Sequence, residues 1–164
     1  MPVPITLDTI RSLPKVLLHD HLDGGLRPAT VIELADAAGR ALPTTDPADL
    51  QAWFTAGAAT KDIDAYLATF EHTVAVLQTA DALARVAAEA VADLVADGVV
   101  YAELRFAPEL HRQRGLALRE IVEAVADGIR RGEREARAAG TPITVNHQTC
   151  TISVMPTNIT KLAR

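Results

Sequence analysis

The sequence predicts an α/β fold in which about three parallel strands alternate with helices. The 164 residues are 49% apolar and 23% charged, a composition typical of a soluble globular domain with a real core. Short β-rich runs occupy residues 15–21, 99–106 and 142–146, and stretches with helical periodicity separate them. Strands separated by helices pair in parallel through right-handed crossovers, so these observations predict a parallel sheet.

The first strand and the first helix are bounded by glycine and proline. Residues 15–21, with the sequence KVLLHDH, follow Pro14 and predict a short buried strand. Residues 28–38 place apolar side chains on one helical face. Pro28 suits the first turn of that helix, and Gly39 is expected to end it.

The other helices follow from capping residues and apolar spacing. Residues 46–54 predict a short helix with Asp46 as its N-cap. The helix before the second strand begins at either Thr79 or Asp81. The remaining predicted helices span residues 62–77, 80–97 and 117–139.

Charge and cysteine content exclude several classes of function. Sixteen Lys and Arg against 21 Asp and Glu give a net charge of −5, which argues against nucleic acid or an anionic membrane as the partner. No apolar stretch predicts a transmembrane helix, and the N-terminus does not resemble a secretory signal. The single Cys150 excludes an intramolecular disulfide and a multi-cysteine zinc site. We therefore expect a cytoplasmic protein.

The most specific motif is His19-Asp20-His21 at the end of the first strand. Side chains alternate along a strand, so the two histidines are expected on one face and Asp20 on the other. Two imidazoles so placed can bind one metal ion. Asp23 follows in the loop, where it could contact a substrate or orient a ligand.

A catalytic zinc site needs a third protein ligand beside these two histidines. His72, in a predicted helix, and His111, in the charged stretch HRQR, are expected to be solvated surface histidines. His147 lies at the predicted end of the third strand and could face a site, but the segment that contains it differs from the rest of the chain.

The segment LPKVLLHDHLDGGLRPATVIELA resembles the opening of the adenosine deaminase family, within the metal-dependent amidohydrolase superfamily. DAYLATFEHTVAVLQT and GVVYAELRFAPEL follow in that family's order and spacing, and the resemblance covers about residues 10–145. It implies the N-terminal portion of a (β/α)8 TIM-type barrel. It also implies a hydrolase of purine metabolism that uses one zinc ion to deaminate adenosine to inosine.

The resemblance also implies roles for individual residues. His19 and His21 are the first two zinc ligands, and Asp23 and Gly24 lie at the nucleoside, with Asp23 on the ribose. Glu103 and Arg105 are expected to form a structural ion pair inside the barrel. The apolar gate over the substrate comprises Ile63, Tyr66, Leu67 and Phe70, although an ordinary core position is the alternative for Ile63 and Leu67.

The chain departs from the family pattern in two respects. No His-x-x-Glu and no Asp-Asp pair occur in it, so it carries no catalytic general acid or base and its zinc site is incomplete. Residues 147–164 contain no Asp or Glu, and the resemblance fades at about Asn146. We therefore divide the chain into a barrel part, residues 1–146, and a divergent tail, residues 147–164, and expect an inactive fragment that binds zinc weakly.

Two other functions remain open at this point. The chain could be a non-catalytic remnant that acts by association, for example by pairing its open sheet edge with another chain. It could instead come from a deaminase of adenine or of a modified adenosine. The apolar gate and Asp23 favour a nucleoside, because a ribose gives Asp23 a partner. The oligomeric state is not predicted.

Overall fold

The computed structural model describes residues 5–150, apart from the side chains of residues 63–65. It contains one sheet of three strands in the order β1 (Lys15–His21), β2 (Val99–Phe106) and β3 (Thr144–Thr149). Both strand pairs are parallel, which confirms the predicted sheet. The helices are α1 (Leu7–Ser12), α2 (Pro28–Ala38), α3 (Pro47–Ala58), α4 (Ile63–Val76), α5 (Ala80–Ala96) and α6 (Leu118–Ala138).

Most helix ends lie where the capping residues predict them. The Asp46 carboxylate accepts hydrogen bonds from the first backbone amides of α3. Thr79, rather than Asp81, caps α5, because its hydroxyl accepts from the Ala82 amide at 3.2 Å. Gly39 ends α2 in the left-handed region at φ 63°, which a residue without a Cβ adopts readily.

Helix α3 runs to Ala58, four residues beyond its predicted end. Its last turn, with the sequence TAGA, lacks the apolar spacing that marks a helix. Tertiary packing extends it, since Gly57 lies against α4 so closely that a Cβ there would be 2.4 Å from Thr69 Cγ2. The sequence reading also missed α1 and a short 3-10 helix, Pro108–His111.

One face of the sheet carries the core. Ala102, Leu104 and Phe106 of β2 are fully buried against the layer formed by α5 and α6. Both helices contribute apolar side chains to this layer, among them Leu83, Val86, Val91, Ile121, Val125 and Ile129. The sheet therefore has a helix-covered side, as expected of strands joined by right-handed crossovers.

The opposite face of the sheet is open in the described part of the chain. Val16 and Leu18 are 58% and 60% exposed there, and none of the seven residues of β1 is buried. The expectation of a buried first strand is therefore wrong, because no described element covers this face. Tyr101, Glu103 and Arg105 alternate with the buried residues of β2 and so share this open face. Strands β1 and β3 are the edge strands of the described sheet. Among the described residues, no helix has the length and apolar character needed to cross a membrane.

Candidate functional site

The two histidines of the motif lie side by side, although β1 is not regular. Leu17 pairs with Ala102 and Asp20 with Leu104, so β1 contains one more residue than β2 over this interval. This is a β-bulge, and it includes His19, which has φ 66°. The ring centroids of His19 and His21 are nevertheless 5.4 Å apart. The expected proximity is therefore present, but a bulge produces it instead of strict alternation.

The separation of the two rings fits a shared metal ion. Two imidazoles on a tetrahedral zinc, with Zn–N near 2.0–2.1 Å, place their ring centroids about 5 Å apart. The observed 5.4 Å agrees with that geometry. Within the described residues, no group of three or more His, Cys, Asp or Glu side chains is arranged to hold a metal. The pair can therefore supply two ligands, and a complete site needs at least one more.

Asp23 lies beneath His21 and is 2% exposed. Its Oδ1 atom is 3.8 Å from His21 Nδ1, which is an ion contact and too long for a hydrogen bond. The Asp23 carboxylate raises the pKa of His21, whereas partial burial of the imidazole acts in the opposite direction. In the described residues Oδ1 has no hydrogen-bond partner.

Glu103 and Arg105 do not form the expected direct ion pair in the described structure. Gln148 of β3, which is in register with Arg105, lies between them. Arg105 Nε donates to Gln148 Oε1 at 3.0 Å, and Gln148 Nε2 donates to Glu103 Oε2 at 3.2 Å. A neighbouring strand thus supplies the link between the two charged groups, which β2 alone does not reveal.

A cavity of about 410 Å³ opens beside the histidine pair. Tyr66 and Phe70 of α4 line it, with their rings edge to face at a centroid distance of 5.4 Å. Gly24 lines it as well, and a Cβ there would lie 3.0 Å from Phe70 Cε1. The expected proximity of Gly24, Tyr66 and Phe70 to the histidines is therefore observed.

The other two gate candidates differ from this arrangement. Leu67 is half-buried and packs against Val74, Ala107 and Leu110. It is not among the residues that line the cavity, so its position fits the alternative of an ordinary packing residue. The side chain of Ile63 lies outside the described residues.

Helix α3 supplies cavity residues that sequence reasoning missed. Gln51, Phe54 and Thr55 line the cavity opposite the strand end. The adjacent aromatic pair Trp53 and Phe54 near the end of a short helix was the available signal. The place of Phe54 in the cavity depends on the packing of α4 beside α3, because both helices contribute side chains to the same cavity wall.

The expectation of a solvated His111 is wrong. The short 3-10 helix turns its imidazole inward beside Phe106, and the side chain is fully buried. Neither ring nitrogen makes a hydrogen bond of ordinary geometry in the described residues. Burial lowers the pKa of His111, and the charge of Asp23 and the Leu77 carbonyl oppose that effect only in part.

The remaining histidines lie away from the pair. His72 is half-buried and contacts Trp53 edge to face at a centroid distance of 5.2 Å, so it is not simply solvated. His147 is in register with the buried Leu104 and therefore lies on the helix-covered side of the sheet. Neither belongs to the candidate metal site.

Acid is expected to destabilise the fold through His111. Its pKa is lowered on folding, so below the ordinary histidine pKa of 6.5 the unfolded chain binds more protons than the folded one. The stabilising contribution of the neutral ring is present above that pH and is lost as the pH falls. A His111→Gln variant should lose less stability than the wild type between about pH 7 and pH 5, by up to about 1.4 kcal/mol per pH unit.

Urea unfolding at several pH values measures this difference. The comparison near pH 8 serves as the control, because there it reports only the packing change caused by the substitution. Parallel pH profiles for the two proteins would contradict the assignment to His111.

The sequence of this chain is similar to those of a known protein family. The sequence model of the family described as "Adenosine deaminase" matches residues 14–162. Adenosine deaminase 1 of Streptomyces coelicolor is 58% identical over 139 residues, which are 84% of this chain but 35% of that protein. The adenosine deaminase of Mycobacterium ulcerans is 57% identical over 85% of this chain and 39% of its own length. The chain thus spans well under half of these relatives.

A solved structure supports the same barrel architecture. The Arabidopsis N6-mAMP deaminase superposes with a TM-score of 0.67 at 27% identity, over 86% of this chain and 42% of its own. The three parallel strands and their helices correspond to part of a TIM-type barrel, which confirms the expected fold class.

The family match passes the expected domain boundary after residue 146, and β3 crosses that boundary. The division itself stays a prediction, and residues 151–164 lie outside the described part.

Proposed function

This chain belongs to the adenosine deaminase family, and on that basis we propose that it forms the metal-binding and nucleoside-facing part of a zinc-dependent hydrolase that converts adenosine to inosine. The observation that carries this proposal is the placement of His19 and His21 at the rim of the 410 Å³ cavity. A metal beside a partly apolar cavity is the arrangement that hydrolysis of a bound heterocycle requires.

The reaction adds one water to purine C6 and releases the 6-amino group as ammonia. His19 and His21 are proposed to hold one zinc ion, which supplies a water acidic enough to lose a proton near neutral pH. Tyr66 and Phe70 cover the base and exclude bulk water from it. The sequence contains no His-x-x-Glu for the proton transfer, so these residues do not supply that group.

The nucleoside contacts of Asp23 and Gly24 are also proposals. Gly24 lines the cavity directly, and its missing Cβ allows Phe70 to approach. Asp23 is almost fully buried and lies against His21, so its carboxylate would reach a ribose only after a local shift. Ile63 and Leu67 stay candidates for the gate through the resemblance alone, since Leu67 does not line the cavity and the side chain of Ile63 lies outside the described residues.

Cellular setting and substrate range belong to the same proposal. A purine nucleoside substrate implies a role in purine metabolism, and the single free Cys150 fits the reducing cytoplasm. The Arabidopsis relative is named for a modified adenosine nucleotide, so such nucleotides are tested as alternative substrates. The acidic balance gives no support to a nucleic-acid partner.

A chimera tests the proposed function. Residues 14–146 of this chain replace the matching segment of Streptomyces coelicolor adenosine deaminase 1, and chromatography follows inosine formed from adenosine. We expect deamination of adenosine and little reaction with adenine or N6-methyl-AMP. The control chimera carries His19→Gln and His21→Gln and should lose activity by roughly 100-fold or more, because two zinc ligands are removed.

The isolated 164-residue chain serves as a further comparison. It is expected to show no enzyme-like deamination, because two histidines do not complete a catalytic zinc site. A chimera that folds and binds zinc but leaves adenosine unchanged would refute the proposed function. Enzyme-like turnover by the isolated chain would refute its assignment as an incomplete site.

Association without catalysis is the second candidate function. Val16, Leu18 and Val100 are large apolar side chains that are 58%, 60% and 46% exposed. In the described sheet, the two edge strands add backbone groups without a strand partner, which favour pairing with another chain. Size-exclusion chromatography with metal analysis separates the candidates, since a discrete oligomer without zinc supports association.

A further inference from the structure

We propose that Arg105 is a positioning residue for the metal ligand His19 and that Gln148 of β3 holds Arg105 in place. This inference rests on the proposed function, because it assumes that His19 binds the metal. It deepens that function by making a side chain of the third strand part of the support of the metal site. Three features carry it: the contact between Arg105 and His19, the backbone of His19, and the hydrogen bonds that anchor Arg105.

The guanidinium of Arg105 lies over the face of the His19 ring. Arg105 Nη1 is 3.0 Å from Nδ1 and 3.0 Å from Nε2 of His19. A point in the ring plane at that distance from both nitrogens would overlap ring carbon atoms. The guanidinium nitrogen therefore lies above the plane, in a stacked contact typical of arginine. Such a contact leaves the in-plane lone pair of the imidazole available to a metal.

His19 needs such support because its surroundings restrain it little. It is the only described non-glycine residue with positive φ, and it lies in the bulge of an edge strand. Its side chain is exposed on the open face of the sheet. A planar group against one face of the ring restricts rotation about its side-chain bonds. Partners outside the ligand set commonly orient metal-binding histidines, usually through a hydrogen bond to the second ring nitrogen, and a stacked guanidinium would serve the same purpose here.

Arg105 is in turn anchored by a row of hydrogen bonds across β2 and β3. Its Nε donates to Gln148 Oε1 at 3.0 Å, and Gln148 Nε2 donates to Glu103 Oε2 at 3.2 Å. Tyr101 Oη donates to Glu103 Oε1 at 3.0 Å, and Asn146 Nδ2 donates to Tyr101 Oη at 3.0 Å. The planar guanidinium can hold Gln148 at Nε while Nη1 contacts His19, which a lysine ammonium cannot reproduce.

The positive charge of Arg105 repels a metal cation and so weakens metal binding, whereas positioning of His19 strengthens it. If charge repulsion alone mattered, removing the guanidinium would tighten metal binding, and Arg105→Lys would leave it nearly unchanged. If Arg105 positions His19, both Arg105→Met and Arg105→Lys weaken binding, because neither side chain provides a planar group anchored at Gln148. The two roles therefore predict opposite signs for the same variant.

The experiment measures the zinc affinity of the 164-residue chain by competition with a chromophoric chelator. Loss of a supporting partner commonly reduces metal affinity about 10- to 100-fold. We expect Arg105→Met and Arg105→Lys each to weaken zinc binding about tenfold, and Gln148→Ala to weaken it by a smaller factor. Arg119→Met is the matched control, because Arg119 pairs with Glu123 on an exposed face of α6. Circular dichroism verifies the fold of each variant.

Each outcome supports or overturns the inference. Unchanged or tighter zinc binding by folded Arg105→Met overturns it. Should the Arg105 variants fail to fold, Gln148→Ala decides, because it keeps the guanidinium and removes only its anchor. If His19→Gln and His21→Gln weaken zinc binding while the Arg105 and Gln148 variants do not, the metal site stands and this inference alone fails. If the histidine variants bind zinc like the wild type, both proposals fail.

Discussion

Replacing Gly128 by alanine is expected to lower the free energy of unfolding by about 2 kcal/mol. The same change in an ordinary helix interior stabilises by about 1 kcal/mol, because glycine is a poor helix former. In α6 the added Cβ would lie 2.2 Å from the Ala84 carbonyl oxygen and 2.7 Å from Ala87 Cβ, both on α5. A backbone oxygen cannot rotate aside, so α5 and α6 must separate and lose packing along their length.

Urea unfolding followed by circular dichroism measures this effect. Gly25→Ala is the control, since its Cβ would meet nothing closer than the His21 carbonyl at 3.6 Å, and its stability should change by less than about 0.5 kcal/mol. A Gly128→Ala protein more stable than the wild type would show that the two helices do not pack this closely.

Removing both histidines of the candidate metal site should have the largest functional effect. The apparent binding free energy of a structural zinc site is about 10–16 kcal/mol, or about 3 kcal/mol for each of four ligands, which corresponds to roughly 100-fold in affinity. His19→Gln and His21→Gln should each reduce zinc affinity by about that factor, and the double variant should show no specific binding. Calorimetric titration of the isolated chain with zinc measures these affinities.

His147→Gln is the matched control for this titration. His147 lies in the same sheet, but its register places it on the helix-covered side, away from the histidine pair. Its replacement should leave zinc affinity unchanged. A loss as large as that of His19→Gln would show that the third strand supplies a ligand and that the register of β3 differs in the metal-bound protein.

Much of the fold could be predicted because its signals are local. The bounds of the strand KVLLHDH, the cap at Asp46 and the glycine stop at Gly39 each depend on a few neighbouring residues, and the structure confirms them. The predicted burial of that strand is wrong, because burial depends on what covers the sheet. The end of α3 and the position of α1 were not predictable in this way. The last turn of α3 depends on contact with Thr69, which lies in another helix.

The candidate site also has features that a local pattern predicts and features that depend on distant residues. The proximity of His19 and His21 was predicted from their spacing in one strand, and the structure shows it, although a bulge that the spacing does not reveal produces it. The inward turn of His111 and the interposition of Gln148 between Glu103 and Arg105 do not follow from any local pattern. The three polar residues after His111 predict an exposed side chain, and only the 3-10 helix explains why this histidine is buried.

The sequence by itself determined the three strands, the five longer helices, and the pair of imidazoles at the end of the first strand, and the resemblance of its motifs identified the family. The strands, the helices and the imidazole pair are encoded by periodicity, capping and spacing within single segments. The tertiary structure alone decided how closely α5 and α6 approach at Gly128, which side chains line the cavity, and how Arg105 reaches His19. Those contacts join residues far apart in the chain, so they depend on packing and strand register, which no single segment specifies.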